Sequence, residues 1–174
     1  MLIEFSFDFS ITENVCRCLK YSIRALSKSF SPYLKTVLQR LIQEFEGQHN
    51  PSYVFVLECC FEEFGDEEQC VGILQEAFNY LVTKLDQVLD EHSLVEDPQL
   101  ANDYFSLCRS VLNFNQTVFF ACPLEKLIQT TLRAIGVQTD RTADTHCRFF
   151  ENLLRSAQEH QGEEIVKHLM QYLH

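Results

Sequence analysis

The sequence predicts an all-α fold, an α-solenoid of about four HEAT-type helical hairpins. Five Gly and four Pro among 174 residues leave little material for turns. Apolar side chains recur at the i, i+3, i+4 and i+7 positions of amphipathic helices in one segment after another. The first helices of successive pairs begin near residues 11, 52, 98 and 140, spaced by 41, 46 and 42 residues. Two helices per unit at that period mark HEAT-type repeats, whereas leucine-rich and ankyrin units are shorter. A single hairpin cannot bury its apolar faces, so the hairpins must stack side by side. A globin-like or bundle arrangement is the architectural alternative that the period alone leaves open.

The predicted hairpins span residues 10–47, 51–92, 97–136 and 139–174. Ser10 and Glu13 read as a capping box opening a helix to about Ser29. Its apolar stripe is Val15, Leu19, Ile23, Leu26 and Phe30. Ser31-Pro32 reads as an N-cap and first-turn proline, followed by a face of Leu34, Val37, Leu38, Leu41, Ile42 and Phe45 that stops at Gly47. Asn50-Pro51 begins the third helix. Its run Tyr53-Val54-Phe55-Val56-Leu57 could be a buried strand, but Cys60, Phe61 and Phe64 extend it as an enclosed helix ending at Gly65. Asp66 caps the fourth, lined by Cys70, Leu74, Phe78, Leu81, Leu85, Val88 and Leu89. Asp97-Pro98 starts the fifth, with Leu100, Tyr104, Leu107, Cys108 and Val111 inward. Pro123 starts the sixth, with Leu124, Leu127, Ile128, Thr131 and Ile135 inward, and Gly136 closes it. Thr139 or Asp140 caps the seventh, and an eighth runs from about Gly162. The apolar start, Leu2 to Phe9, and the uncapped end at Leu173 suggest a piece of a longer array, with a dimer edge as the alternative.

The net charge of −11 hides an asymmetry. Residues 1–46 carry six basic and five acidic side chains, residues 47–103 one and thirteen, and residues 104–174 seven and seven. Within residues 14–41 there are six basic groups and no acidic one. Arg17, Lys20, Arg24 and Lys28 fall three or four residues apart, which draws one stripe along a helix face. Like charges at this spacing repel, and nothing acidic on the same helix is expected to offset them. Such a stripe suits phosphate or carboxylate groups on an extended peptide, Arg as a fork and Lys as a point charge. A solvated polar face is the other reading that charge alone permits. The acidic middle, with Glu62, Glu63, Asp66, Glu67 and Glu68, reads as a solubilising face or an attractor of basic partners. A pI near 4.9 argues against direct nucleic-acid binding.

Other chemistry finds no support. No apolar run reaches membrane-spanning length, and no Lys or Arg precedes Arg17 to start a signal or mitochondrial peptide. Eight cysteines fall inside apolar helical patterns, where a thiol packs as a small hydrophobe, which points to a reducing intracellular compartment. Cys16-x-Cys18 and Cys59-Cys60 lack zinc spacing, and adjacent helical positions diverge by about 100°. The six His form no ligand pattern, and phosphate loops and nucleophile elbows are absent. No metal, cofactor or enzymatic activity is expected.

Four stretches carry a family resemblance. Glu13-Asn14-Val15-Cys16-Arg17-Cys18-Leu19-Lys20-Tyr21-Ser22-Ile23-Arg24 is similar to a helix reading roughly E-R-x-C-R-C-L-R-[FY]-A-V-R. Tyr53 to Leu57 with Glu62-Glu63-Phe64-Gly65 is similar to F-L-Y-L-x-S-x-L…D-E-[FY]-G. Pro98 with Asn102 to Cys108 resembles P-x-x-x-D-D-x-F-x-L-x, and Arg141-Thr142-Ala143 with Arg148-Phe149-Phe150 resembles H-R-x-A-N and R-F-[LF]. In this order and spacing, over residues from about 10 to 156, they resemble the transportin-SR (transportin-3-like) branch of the importin-β/karyopherin-β superfamily, in its C-terminal half.

The resemblance implies a nuclear import receptor segment that binds phosphorylated Ser/Arg-rich splicing factors. The implied site is a basic helix on the concave face. Arg17 and Arg24 keep the family's arginines, Lys20 replaces one, and Asn14 stands where the family has another. Lys28 extends the stripe on helical spacing alone. The resemblance further implies Ran-GTP as a partner of the full-length parent, acting mainly at N-terminal repeats outside this chain. Nucleoporins are further candidate contacts, and shuttling between cytoplasm and nucleus is the implied location. A HEAT-repeat scaffold or adaptor outside nuclear transport is the alternative, and a thiol or metal enzyme the third reading.

Overall fold

A computed structural model describes residues 9–89, 98–136 and 143–160, and every regular element among them is helical. In chain order these are α1 (Phe9–Leu26), a 3₁₀ turn (Ser27–Phe30), α2 (Ser31–Gln48), α3 (Pro51–Phe64), α4 (Glu68–Val88), α5 (Pro98–Phe114), α6 (Gln116–Phe120), α7 (Leu124–Gly136) and α8 (Ala143–His160). None of the described helices is long and apolar enough to cross a membrane.

The helices form two layers. One runs α1, α3, α5, α8, and the other α2, α4, α7; each helix packs chiefly on the next member of its own layer. That is hairpin stacking, in which a repeat buries its faces against its neighbours. The first layer is the more closely packed. Starts at Phe9, Pro51, Pro98 and Ala143 keep the period in the forties. Between the layers lies the main core, with Ile23, Phe45, Phe61, Phe64, Phe78, Tyr104, Phe105, Phe119 and Phe149 fully buried, and a smaller cluster forms around Ile128. Six of the eight cysteines are buried in or beside it: Cys16, Cys59, Cys60, Cys70, Cys108 and Cys122. Burial pushes the Cys16 thiol up to about 11 and Cys122 to about 12, so these thiols pack as neutral groups.

Polar contacts pin neighbouring helices at intervals. Buried Glu58 of α3 accepts from Ser106 Oγ at 2.8 Å and Ser110 Oγ at 2.9 Å, both on α5. Asp86 of α4 accepts from Arg133 (2.6 Å) and Thr130 (2.9 Å) of α7. Tyr80 of α4 donates to Glu46 of α2. Such satisfied contacts fix the register of one helix on the next.

Several local expectations change. Ser10 lies inside α1 and so is no N-cap. The buried face of α1 is Thr12, Cys16 and Ile23, with Leu19 partly covered, while Val15 and Leu26 are half exposed. The packing line follows the contact with α3, one position off the most aliphatic line. The helix also ends early, because Ser27 takes a left-handed φ of 44° and breaks the hydrogen-bond ladder. α2 starts at Ser31 with Phe30 as an N-cap that offers no side-chain bond. It runs past Gly47 to Gln48, and His49 supplies the left-handed C-cap at φ 48°. Gly65 closes α3 in a right-handed conformation. A Cβ there would lie 2.6 Å from the Phe61 carbonyl oxygen and 3.2 Å from Phe114 Cβ, so glycine is required by close approach. Glu67, not Asp66, precedes α4. The short α6 was hidden in the expected turn; Asn115 caps it by accepting from Val118 N–H. Thr139, Asp140, the helix from Gly162 and the segment Leu2 to Asp8 lie outside the described residues.

Candidate functional site

Arg17, Lys20, Arg24 and Lys28 do share one face of α1 and its following turn, on the side bordered by α3 and the start of α4. Helical spacing of three and four residues produces this alignment. The face lies about a quarter turn around α1 from the buried line of Thr12, Cys16 and Ile23, so it rims the α1–α3 contact with Arg17, Arg24 and Lys28 exposed and Lys20 partly covered.

The cations have partners that the local sequence hides. Arg17 pairs with Glu13 one turn earlier at 2.5 Å. Arg24 pairs with Glu62 of α3 at 2.5 Å, and Lys28 with Glu67 at 2.6 Å. Lys20 Nζ stands 4.2 Å from the centroid of the Phe55 ring, a cation–π contact. The Glu62 hydrogen bond raises the Arg24 pKa further, and the Glu67 hydrogen bond does the same for Lys28, so both stay charged. The expectation that nothing acidic offsets the stripe is therefore corrected: Glu13 lies on the same helix, and two members of the acidic middle cross over to it. Exposed pairs of this kind are weak and salt-screened.

Two of the four cations border a groove of about 720 Å³ across α1, α3 and α5, together with Tyr21, Phe55, Gln99 and Asp103. These are Arg17 and Lys20; Arg24 and Lys28 stand beyond it along α3 and the start of α4. The groove offers a guanidinium fork, an ammonium, three aromatic rings, two amides and two carboxylates, Glu13 and Asp103. That set suits an extended peptide carrying both signs of charge. In the sequence Phe55 belongs to an apolar run and Asp103 to a motif. Their place beside α1 depends on how repeats stack, which no local spacing records. Among the described residues no group of His, Cys, Asp and Glu is arranged to hold a metal ion.

A two-layered array of stacked helical hairpins with a charged exposed face is an α-solenoid. The chain belongs to the Transportin-3/Importin-13 family, since a family model described as the Transportin-3/Importin-13 fourth TPR domain matches residues 1–89, about half of its length. Its relatives are karyopherin-β transport receptors, which bind protein cargo. The matched region runs from before α1 to the end of α4 and so contains the basic helix and the first two resembling stretches. The family description uses the term TPR, whose units are nearer 34 residues; the helix starts here follow the longer HEAT-type period.

Proposed function

We propose that this chain is a cargo-binding segment of a nuclear import receptor. Its cargo is phosphorylated Ser/Arg-rich protein, held on the Arg17, Lys20, Arg24 and Lys28 face, and that face lies on the concave side of the solenoid. The observation that carries the reading is a row of four cations along α1 and its following turn in an otherwise acidic chain, inside the matched family region. The closer packing of the α1, α3, α5, α8 layer supports the concave placement, because the inner layer of a curved array is the compressed one. Each phosphoserine brings about two negative charges and several acceptors for Arg forks. Ran-GTP and nucleoporin contacts belong to the full-length parent, which shuttles between cytoplasm and nucleus.

Replacing Arg17, Lys20 and Arg24 together by Ala should weaken binding of a phosphorylated Ser/Arg peptide at least about tenfold and flatten its salt dependence. Fluorescence anisotropy at two ionic strengths reads both effects. Unchanged affinity in the triple variant would remove α1 from the site.

One observation favours a second reading. Glu13, Glu62 and Glu67 already neutralise three of the four cations, as expected if the stripe serves stacking in a HEAT scaffold outside transport. Under that reading the triple variant loses stability and no peptide affinity.

A further inference from the structure

The groove between α5 and α8 contains a cation that the α1 site does not use. Arg109 of α5 is half-buried there and makes no hydrogen bond or ion pair among the described residues. The groove measures about 400 Å³ and is lined mainly by polar atoms. Arg148 and Arg155 of α8 stand on its other wall, each tied among the described residues to a neighbour one turn away, Asp144 at 2.9 Å and Glu151 at 3.0 Å. Such exposed i,i+4 pairs yield readily to a stronger anion. Asn113 and Asn152 add amide donors. Among the described residues no carboxylate comes within ion-pair distance of Arg109, although Glu58, Glu62 and Glu151 line the same groove, so its guanidinium is left with donors to spare.

The geometry points to a second anion-binding site centred on Arg109, taking a phosphate or carboxylate group of an extended peptide. The opposite wall decides what stands beside that anion. Glu58 and Glu62 of α3 line the same groove, so a lone polyanion is disfavoured and an anion flanked by a cation fits. Glu62 is also the partner of Arg24, so the groove adjoins the α1 stripe on one continuous surface. The ligand class is a peptide that alternates cationic and anionic side chains. This inference rests on the proposed cargo reading for its ligand, and extends the track from α1 across α3 to α5 and α8.

The test is a titration of the whole chain followed by NMR at the arginine Nε–H groups, with Arg109 assigned by its loss in Arg109→Gln. The probe is a peptide of about twelve alternating arginine and phosphoserine residues, long enough at about 3.3 Å each to cross four adjacent helices. A counterpart with aspartate in place of phosphoserine distinguishes phosphate from carboxylate. Saturable movement of the Arg109 resonance with either peptide is the expected result and names the anion. Arg109→Gln should weaken that peptide about tenfold while the thermal melt stays in place. If the Gln variant does not fold, Arg109→Lys replaces it, with a smaller loss expected. Movement at Arg17 and Arg24 without Arg109 overturns this inference and leaves the α1 reading standing. Movement at Arg109 alone does the reverse, and an affinity unchanged by either variant overturns the Arg109 site.

Discussion

His146 of α8 is 2% exposed, packs edge-on to Phe105 at 4.4 Å, and among the described residues finds no hydrogen-bond partner for either ring nitrogen. Burial therefore lowers its pKa from 6.5 to about 4. Between those values the unfolded chain holds the proton and the folded chain does not, so stability falls as pH drops from 6.5 towards 4. The loss amounts to about 3 kcal/mol at most. Urea denaturation across that window, compared with His146→Phe, should show a shallower decline in the variant; parallel curves would contradict a neutral buried imidazole. At the same scale, Ile23 is fully buried and Val15 half exposed. Ile23→Ala should cost about 2–4 kcal/mol and Val15→Ala less than about 0.5 in equilibrium unfolding. The i, i+4 spacing puts both on one stripe, and hydrophobicity alone cannot tell which of two adjacent helix lines a neighbour will cover. Cys16, weaker as a hydrophobe, is inside because α3 packs on its side of α1.

Element boundaries follow hydrogen-bonding chemistry. Asn50 before Pro51 is a start signal that the structure keeps, with the Asn50 side chain accepting from Ser52 N–H at 2.9 Å. Asn115 does more: it caps α6 and donates from Nδ2 to the Gly65 carbonyl at 2.8 Å, joining the end of α3 to the α5–α6 corner. Asn115→Ala should therefore destabilise by about 1–3 kcal/mol, more than Asn50→Ala at about 1. Gly65→Ala at the same corner should cost about 1–3 kcal/mol, because the 2.6 Å contact is with backbone that cannot rotate away. Guanidinium melts of the three variants check the order. Helix starts marked by proline were readable from sequence, since proline tolerates the first turn and little else. The ends were less so: His49 took a left-handed position that Gly47 looked suited to, and the five-residue α6 is too short to show a period.

Over the whole molecule, the two-layer stack was readable because the repeat period and the apolar faces both demand it. The candidate site was readable only in part. Arg17, Lys20, Arg24 and Lys28 align by local spacing, but Glu62, Glu67, Phe55 and Arg109 reach the same surface only through stacking of residues far apart in the chain. The net charge of −11 thus describes no part of the molecule well. The exposed surface of the α1, α3, α5, α8 layer carries cations on α1 and α8, with Glu62 and the groove-lining Glu58 of α3 between them. A surface so arranged discriminates by charge pattern more than by total charge. The most direct test of cargo recognition is calorimetric titration of this chain with one Ser/Arg peptide in phosphorylated and unphosphorylated forms. The account predicts at least about tenfold tighter binding of the phosphorylated form at moderate salt, with the difference shrinking as salt rises. Equal affinity for the two forms would contradict it.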